Sequence, residues 1–344
     1  MANQEIGDYG YLFGQGIPII DVRAPSEFIR GAPPSAVNLP ILDDSERREV
    51  GLAYKNLGQE AAIAKGWELV EGTNRSQKID SWRRFAANHP NAVVCCWRGG
   101  LRSQLAQEWL ANEGVELPRV QGGFKALRQY SLSLLDSCSC RSLVVLAGRT
   151  GSGKTQLIQE LAPSIDLEYL ANHRGSAFGR MSSPQPTPIE FEFAVALQLL
   201  KKPTDRAVLV EDESSLIGSL KIPEPFYGAM LHAPLVVVAV PLEERVKLTY
   251  DSYVLGNSQE MLVSSLNRIK KRLGGLRFKE VLDCLNGAFL SNRPKDHYQW
   301  IEMLLSYYYD PMYDYQLGKK QYRIEFEGTV DEACIFLDES FGIN

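Results

Sequence analysis

The chain has 344 residues, 44% of them apolar and 23% charged, and a formal net charge of -5. This is the makeup of a globular protein long enough for two domains, and it excludes a generally basic nucleic-acid coat while leaving room for a local basic patch. Six cysteines without a framework spacing, beside only four histidines, point to reduced thiols in a cytoplasmic setting rather than to disulfides or a zinc site.

In chain order, residues 17–22 (IPIIDV) form a short apolar run and read as a buried strand. Residues 26–30 start a helix that Pro33 and Pro34 stop, and 36–39 read as a second strand. Residues 44–58 are polar with helical spacing, and 76–88 are a stronger helix ending before Pro90. The run 92–96 (AVVCC) is a buried strand that enters a glycine-rich turn, and 103–113 read as a helix closed by Gly114. Residues 119–121 precede Gly122 and Gly123, and a further helix starts at Phe124. Such alternation predicts a parallel sheet covered by helices.

The small polar segment 136–141 (DSCSCR) marks a boundary, giving an N-terminal domain over 1–136 and a second over 141–344. In the second, 143–147 (LVVLA), 207–210 and 235–240 read as buried strands and 167–170 as strand-like. Residues 243 to about 315 are mostly helical, and 323–326 read as a last strand. The predicted class is α/β: one parallel-sheet domain, then a second α/β domain carrying a helical extension. No apolar run reaches the roughly 18 residues of a membrane span, and the N-terminus lacks the pattern of a signal peptide.

The first constellation with chemistry is 96–103, CWRGGLRS. Between a strand and a helix, its backbone amides and the helix's positive end aim at one point, which favours Cys96 as a thiolate. Arg98 and Arg102 add positive charge, while Gly99 and Gly100 let the chain curl. The expectation is an anion cradle with a nucleophile at its base. Cysteine, five residues and then arginine suits thiolate attack on a tetrahedral phosphorus-like centre. Cys95 alternates to the other side of the strand and reads as core.

The second constellation, 148–155 (GRTGSGKT), fits the phosphate-binding loop pattern in full and lies between a strand and a helix. Gly148, Thr150, Gly151, Ser152 and Gly153 supply the cradle. Lys154 bridges terminal phosphates, and Thr155 ligates a magnesium ion if one binds. Glu211 and Asp212, in the acidic run 211–213, sit where such proteins carry a metal-facing carboxylate; the bland reading is a solvated strand end. His173 and Arg174 belong to a polar turn expected to face this loop.

Between residues 261 and 279 the six basic residues Arg268, Lys270, Lys271, Arg272, Arg277 and Lys279 precede a run of aromatics reaching Tyr315. Basic residues among aromatics suit a single-stranded or looped RNA, and a solvated helix face over core tyrosines is the competing reading.

Asp21-Val22-Arg23 with Glu27-Phe28, and the segments 31–33 and 38–40, look like rhodanese sequence, in which the Asp and Arg brace the fold. Together with the loops 96–103 and 148–155, and with 173–180 (HRGSAFGR) and 210–214 (VEDES), nearly the whole chain resembles the tRNA 2-selenouridine synthase family. That resemblance implies a transferase acting on 2-thiouridine at the tRNA wobble position. A geranyl group from geranyl diphosphate would go onto the sulfur, and selenium from selenophosphate would then replace the geranylated sulfur. It implies that Cys96 carries the selenium chemistry; read from the residues themselves, the thiolate would attack selenium to form a Cys–Se intermediate while Arg98 and Arg102 hold the departing phosphate. No tightly bound cofactor is expected; the P-loop takes geranyl diphosphate, with nucleotide or magnesium as the other candidates. The implied partners are thiolated tRNA and whatever supplies selenophosphate. Rival readings are a cysteine phosphatase fused to a kinase-like domain, a nucleotide-switched RNA-binding protein with an inert rhodanese domain, and a plain sulfurtransferase.

Overall fold

The computed structural model describes residues 4–291 and 293–344. The chain divides into two compact units, one of Met1–Leu135 with Thr187–Lys201, the other of Asp136–Pro186 with Lys202–Asn344.

The first unit holds strands β1 (Glu5–Ile6), β2 (Ile19–Asp21), β3 (Ala36–Asn38), β4 (Val93–Cys95) and β5 (Arg119–Val120). They form one sheet in the order β1-β5-β4-β2-β3, every pairing parallel. Both faces are covered, so the central strands are apolar throughout rather than alternating. One face packs Trp82 and Trp109, stacked at 6.0 Å, and the Trp82 indole donates to the Leu39 carbonyl at 2.9 Å. On the other lie Leu12, Phe124 and Phe193.

Phe193 comes from the helix Pro188–Lys201, which belongs to this unit although it follows the second unit's first strands in sequence. It buries Phe191, Phe193, Val195, Ala196 and Leu199, and an all-round apolar helix needs cover on all sides. Its Ile189 crowds Gly31, where a Cβ would come within 2.4 Å at φ +139°. The sequence reading did not single out this helix.

The second unit carries β6 (Leu143–Gly148), β7 (Ser164–Ile165), β8 (Val208–Glu211), the short hairpin β9 (Leu216–Ile217) and β10 (Leu220–Lys221), β11 (Leu235–Val238) and β12 (Ile324–Gly328). Five of them make a second parallel sheet, β12-β11-β6-β8-β7, with β6 at its centre. Residues 167–170, expected as strand-like, are a short helix instead. Asp166 caps it by accepting from the Tyr169 amide, and that local bond outweighs the apolar run's strand signal. The helical extension is present, interrupted by two π-helical turns, Tyr250–Val254 and Leu305–Tyr309.

Candidate functional site

Cys96 leaves the carboxyl end of β4. Its thiol sulfur lies 3.2 Å from Ser103 Oγ and 3.8 Å from the Gly100 carbonyl oxygen, so it faces its own loop from a buried base. Cys95 points to the opposite face, and burial pushes its thiol well above the ordinary range. Among the described residues, the backbone amides of 97–102 donate to no backbone acceptor. The loop is held from behind, where Phe124 and Lys125 amides donate to the Cys96 and Trp97 carbonyls at 2.8 and 3.0 Å. Gly99 sits at φ +65°, where a Cβ would come within 2.8 Å of the Val120 carbonyl. Only glycine fits there. Free amides around a thiol can receive an anion.

The two arginines of this loop are placed differently. Arg98 is exposed. Arg102 is engaged by Glu27, donating to its carboxylate at 2.5 and 3.3 Å. Burial pushes the Glu27 carboxyl up, but Arg102, the Ala24 amide and Arg47 outweigh it and hold it below the usual range. Asp21 and Arg23 form a buried ion pair at 2.7 Å; the arginine also donates to the Gly31 carbonyl and lies 3.8 Å over the Phe124 ring. They brace the loop's surroundings, as the sequence suggested.

The 148–155 loop leaves the carboxyl end of β6, flanked by the ends of β8 and β11. Gly151 and Gly153 take φ of +81° and +78°. A Cβ on Gly151 would strike Thr249 Oγ1 at 2.5 Å and the Arg245 carbonyl at 2.7 Å. Arg245 is buried, donates to the Thr150 carbonyl at 3.2 Å, and is clamped by Asp310 at 2.8 Å. Arg149 pairs with Asp314 at 2.9 Å. The Lys154 ammonium turns back to the Gly148 carbonyl at 2.6 Å. Ser152 Oγ is buried without a partner among the described residues.

Four acids surround this lysine: Glu168, Glu213, Asp212 and Glu211. Burial lowers the Lys154 pKa against their pull. Glu168 and Glu213 are hydrogen-bonded to each other; burial, then the neighbouring carboxylate, pushes Glu213 up to about 8. Glu168 also accepts from Thr155 Oγ1 at 3.2 Å. Asp212 is taken by Lys320 at 2.5 Å, and Glu211 accepts the Leu167 amide at 3.0 Å. Among the described residues no group of three His, Cys, Asp or Glu converges as a metal site. Sequence reasoning put Glu211, Asp212 and Glu213 in one acidic run, with Glu211 and Asp212 as its main candidates, but missed Glu168, whose pairing with Glu213 depends on the 167–170 helix.

The His173–Arg180 segment folds over these acids. Gly175, at φ +58°, is where a Cβ would lie 2.5 Å from an oxygen of both Glu168 and Glu213. His173 and Arg180 form an isolated antiparallel bridge. Burial, then Arg268 and Arg180, lowers the His173 pKa. Arg174 donates to the Ser252 carbonyl and lies 5.3 Å over the Tyr253 ring.

Arg268, Lys270, Lys271 and Arg272 are carried by the helix Gln259–Leu273, and Arg277 by the helix Gly275–Ser291. The apolar seam of the first, Leu262, Leu266, Ile269 and Leu273, is buried, so the basic residues belong to its outer face. The aromatic run divides. His297, Trp300, Tyr308 and Tyr309 are core, whereas Tyr307 and Tyr315 are 38% and 67% exposed. Arg277 lies 4.8 Å over the Tyr307 ring.

The family model described as "tRNA 2-selenouridine synthase AAA domain" matches residues 141–342. A protein of Shewanella denitrificans named tRNA 2-selenouridine synthase is 44% identical over 96% of this chain and 97% of its own length. One of the same name from Hahella chejuensis is 45% identical over 96% and 93%. A third, from Marinobacter nauticus, is 41% identical over 95% of each. With likeness at this level from end to end, and both loops intact within it, the chain belongs to the tRNA 2-selenouridine synthase family.

Proposed function

We propose that this chain makes 2-selenouridine in tRNA by two successive reactions, one at each loop. At the 148–155 loop, backbone amides and Lys154 hold the diphosphate of geranyl diphosphate. The thiocarbonyl sulfur of the wobble 2-thiouridine attacks the first geranyl carbon. A C–S bond forms, the C–O bond breaks, diphosphate leaves, and the base gives up its N3 proton. A magnesium ion on the diphosphate would meet Thr155 and Glu168, oxygen donors of the kind it takes. The basic face of Arg268, Lys270, Lys271, Arg272 and Arg277 contacts tRNA phosphates.

At the 96–102 loop, the amides and Arg98 hold selenophosphate over Cys96. Electron counting favours attack at phosphorus over the attack at selenium that the sequence suggests. Attack at selenium would have to expel trivalent phosphorus, whereas attack at phosphorus forms S–P, breaks P–Se and frees hydroselenide without any redox change. Hydroselenide then adds at C2 of the S-geranylated base, the C2–S bond breaks, and geranyl thiol leaves with the selenide's proton. Water cleaves the S–P bond, giving phosphate and restoring the thiolate.

The observation that supports this reading best is the Cys96 thiol, turned into a loop whose amides 97–102 meet no backbone acceptor, in a chain that also carries a full phosphate-binding loop. The test is mass spectrometry of wobble nucleosides after incubation with thiolated tRNA, geranyl diphosphate and selenophosphate. Appearance of S-geranyl-2-thiouridine and then 2-selenouridine is expected. Selenation that proceeds without geranyl diphosphate would overturn the two-step order, and equal use of thiosulfate as donor would favour a plain sulfurtransferase.

A further inference from the structure

A cavity of about 740 Å³ opens beside the Cys96 loop, within the first unit. Leu101 and Arg102 of the loop line one end, and Glu27 and Arg47 join them there. The remainder of the wall is mainly apolar, including Ile41, Ile63, Trp67 and Leu105. The volume falls within the 300–1,000 Å³ typical of small-molecule sites.

Two helices roof this space. Asp44–Leu57 buries none of its residues, and Gln59–Leu69 buries only Ala62. A helix with no buried face normally lacks the packing that stabilises it. Here Asp43 closes the first helix with a capping box, and Glu46 ties it to Asn74 at 2.6 Å and to Lys78 at 3.4 Å. The roof is therefore fastened along one end while its apolar underside rests on empty space. Two glycines, Gly51 and Gly66, line that space. A Cβ on Gly51 would meet nothing within 4 Å, and one on Gly66 only Val50 at 3.8 Å.

We propose that this cavity receives an acyclic aliphatic chain of about ten carbons attached to the base undergoing selenium exchange. The inference rests on the two-step reading above and assigns the chain of its intermediate a place. Arg102, on the same loop as Cys96, meets Glu27 and Arg47 at one side of the cavity, and Arg48 and Gln59 reach the wall from the roof helices, so a ligand whose reactive atom is presented to that loop can lay its tail along Ile41, Ile63, Trp67 and Leu105.

The test uses the full chain and anticodon stem–loop RNAs whose wobble 2-thiouridine carries S-methyl, S-hexyl or S-geranyl, with selenophosphate as donor. In the wild type, KM falls as the chain lengthens, by about four-fold per methylene at the ~0.8 kcal/mol of a buried CH2, until the cavity fills. Gly51→Leu and Gly66→Leu place a side chain in the cavity, and in a helix they also remove a glycine, which favours folding. They are expected to lower the ratio of kcat/KM for the S-geranyl RNA to that for the S-methyl RNA at least ten-fold. A wild type that prefers geranyl, with both filled variants keeping that preference, overturns the cavity assignment. A wild type that exchanges none of the three RNAs overturns the two-step reading itself.

Discussion

In both units a strand of a parallel sheet runs out into a glycine-bearing turn that opens a helix, yet the two turns carry charge in opposite ways. Around Cys96 the amides meet no backbone acceptor, Arg98 is exposed, and the nearby carboxylates are engaged, Glu27 by Arg102 and Arg47 and Asp21 by Arg23. Around Gly148 the cation is folded onto its own loop's carbonyl and ringed by four acids, two of which share a hydrogen bond. The backbone device alone therefore does not say what a loop does. In the proposed reactions its side-chain floor is what separates a nucleophile's cradle from a cradle whose lysine must be drawn away from carbonyls and acids by an incoming polyanion.

The sharpest way to break that contrast is to remove the sulfur. Cys96→Ser should lower 2-selenouridine formation at least about 10³-fold, in line with losing a nucleophile. The S-geranyl intermediate should accumulate, read by nucleoside mass spectrometry; equal loss of both products would erase the division of labour. Lys154→Ala should lower geranylation by about 10²–10³-fold, the scale of removing one charge-stabilising donor. Selenium exchange on pre-geranylated RNA should be unchanged in the same variant. Arg268→Glu with Lys271→Glu should weaken tRNA binding by about ten-fold or more, measured by titration across a salt series. The slope of log affinity against log salt should flatten by about 0.7–0.9 for each phosphate that the protein no longer neutralises.

The smallest effect concerns stability near the first loop. Because Glu27's pKa is held below its ordinary 4.5, the unfolded chain binds its proton more readily as pH falls. Its contribution is present above about pH 4.5 and drains away as pH drops through the depressed folded value. Glu27→Gln should remove that part of the acid-limb loss in melting temperature measured against pH. An identical acid limb in both proteins would mean that the Glu27–Arg102 pair contributes nothing there.

Both loops were legible in the sequence because each is a contiguous pattern with its chemistry in neighbouring residues. The brace of Asp21 and Arg23 followed from the rhodanese-like segment, and the core placement of Cys95 from strand alternation. Glu168 is hidden in the sequence because its apolar neighbours have the pattern of a strand, and the Asp166 cap makes them a helix instead. Arg245 and Asp310, which clamp the loop at Thr150, stand 65 residues apart, and no local signal links them. The aromatic run splits between core and surface because tyrosine and tryptophan suit a core as well as a stacking surface, and composition does not tell the two apart.

What the sequence determined by itself was the α/β class, the order of the strands that carry the two loops, and the identity of the groups on those loops. These depend on periodicity, glycine placement and short spacing, which are local properties of the chain. Tertiary structure alone decided that the helix Pro188–Lys201 joins the first unit, that acids from separate segments meet at Lys154, and that two helices roof a cavity beside the loop that carries Cys96. Those outcomes depend on which distant surfaces bury one another, and apolar burial, being non-directional, leaves no spacing in the sequence to reveal it.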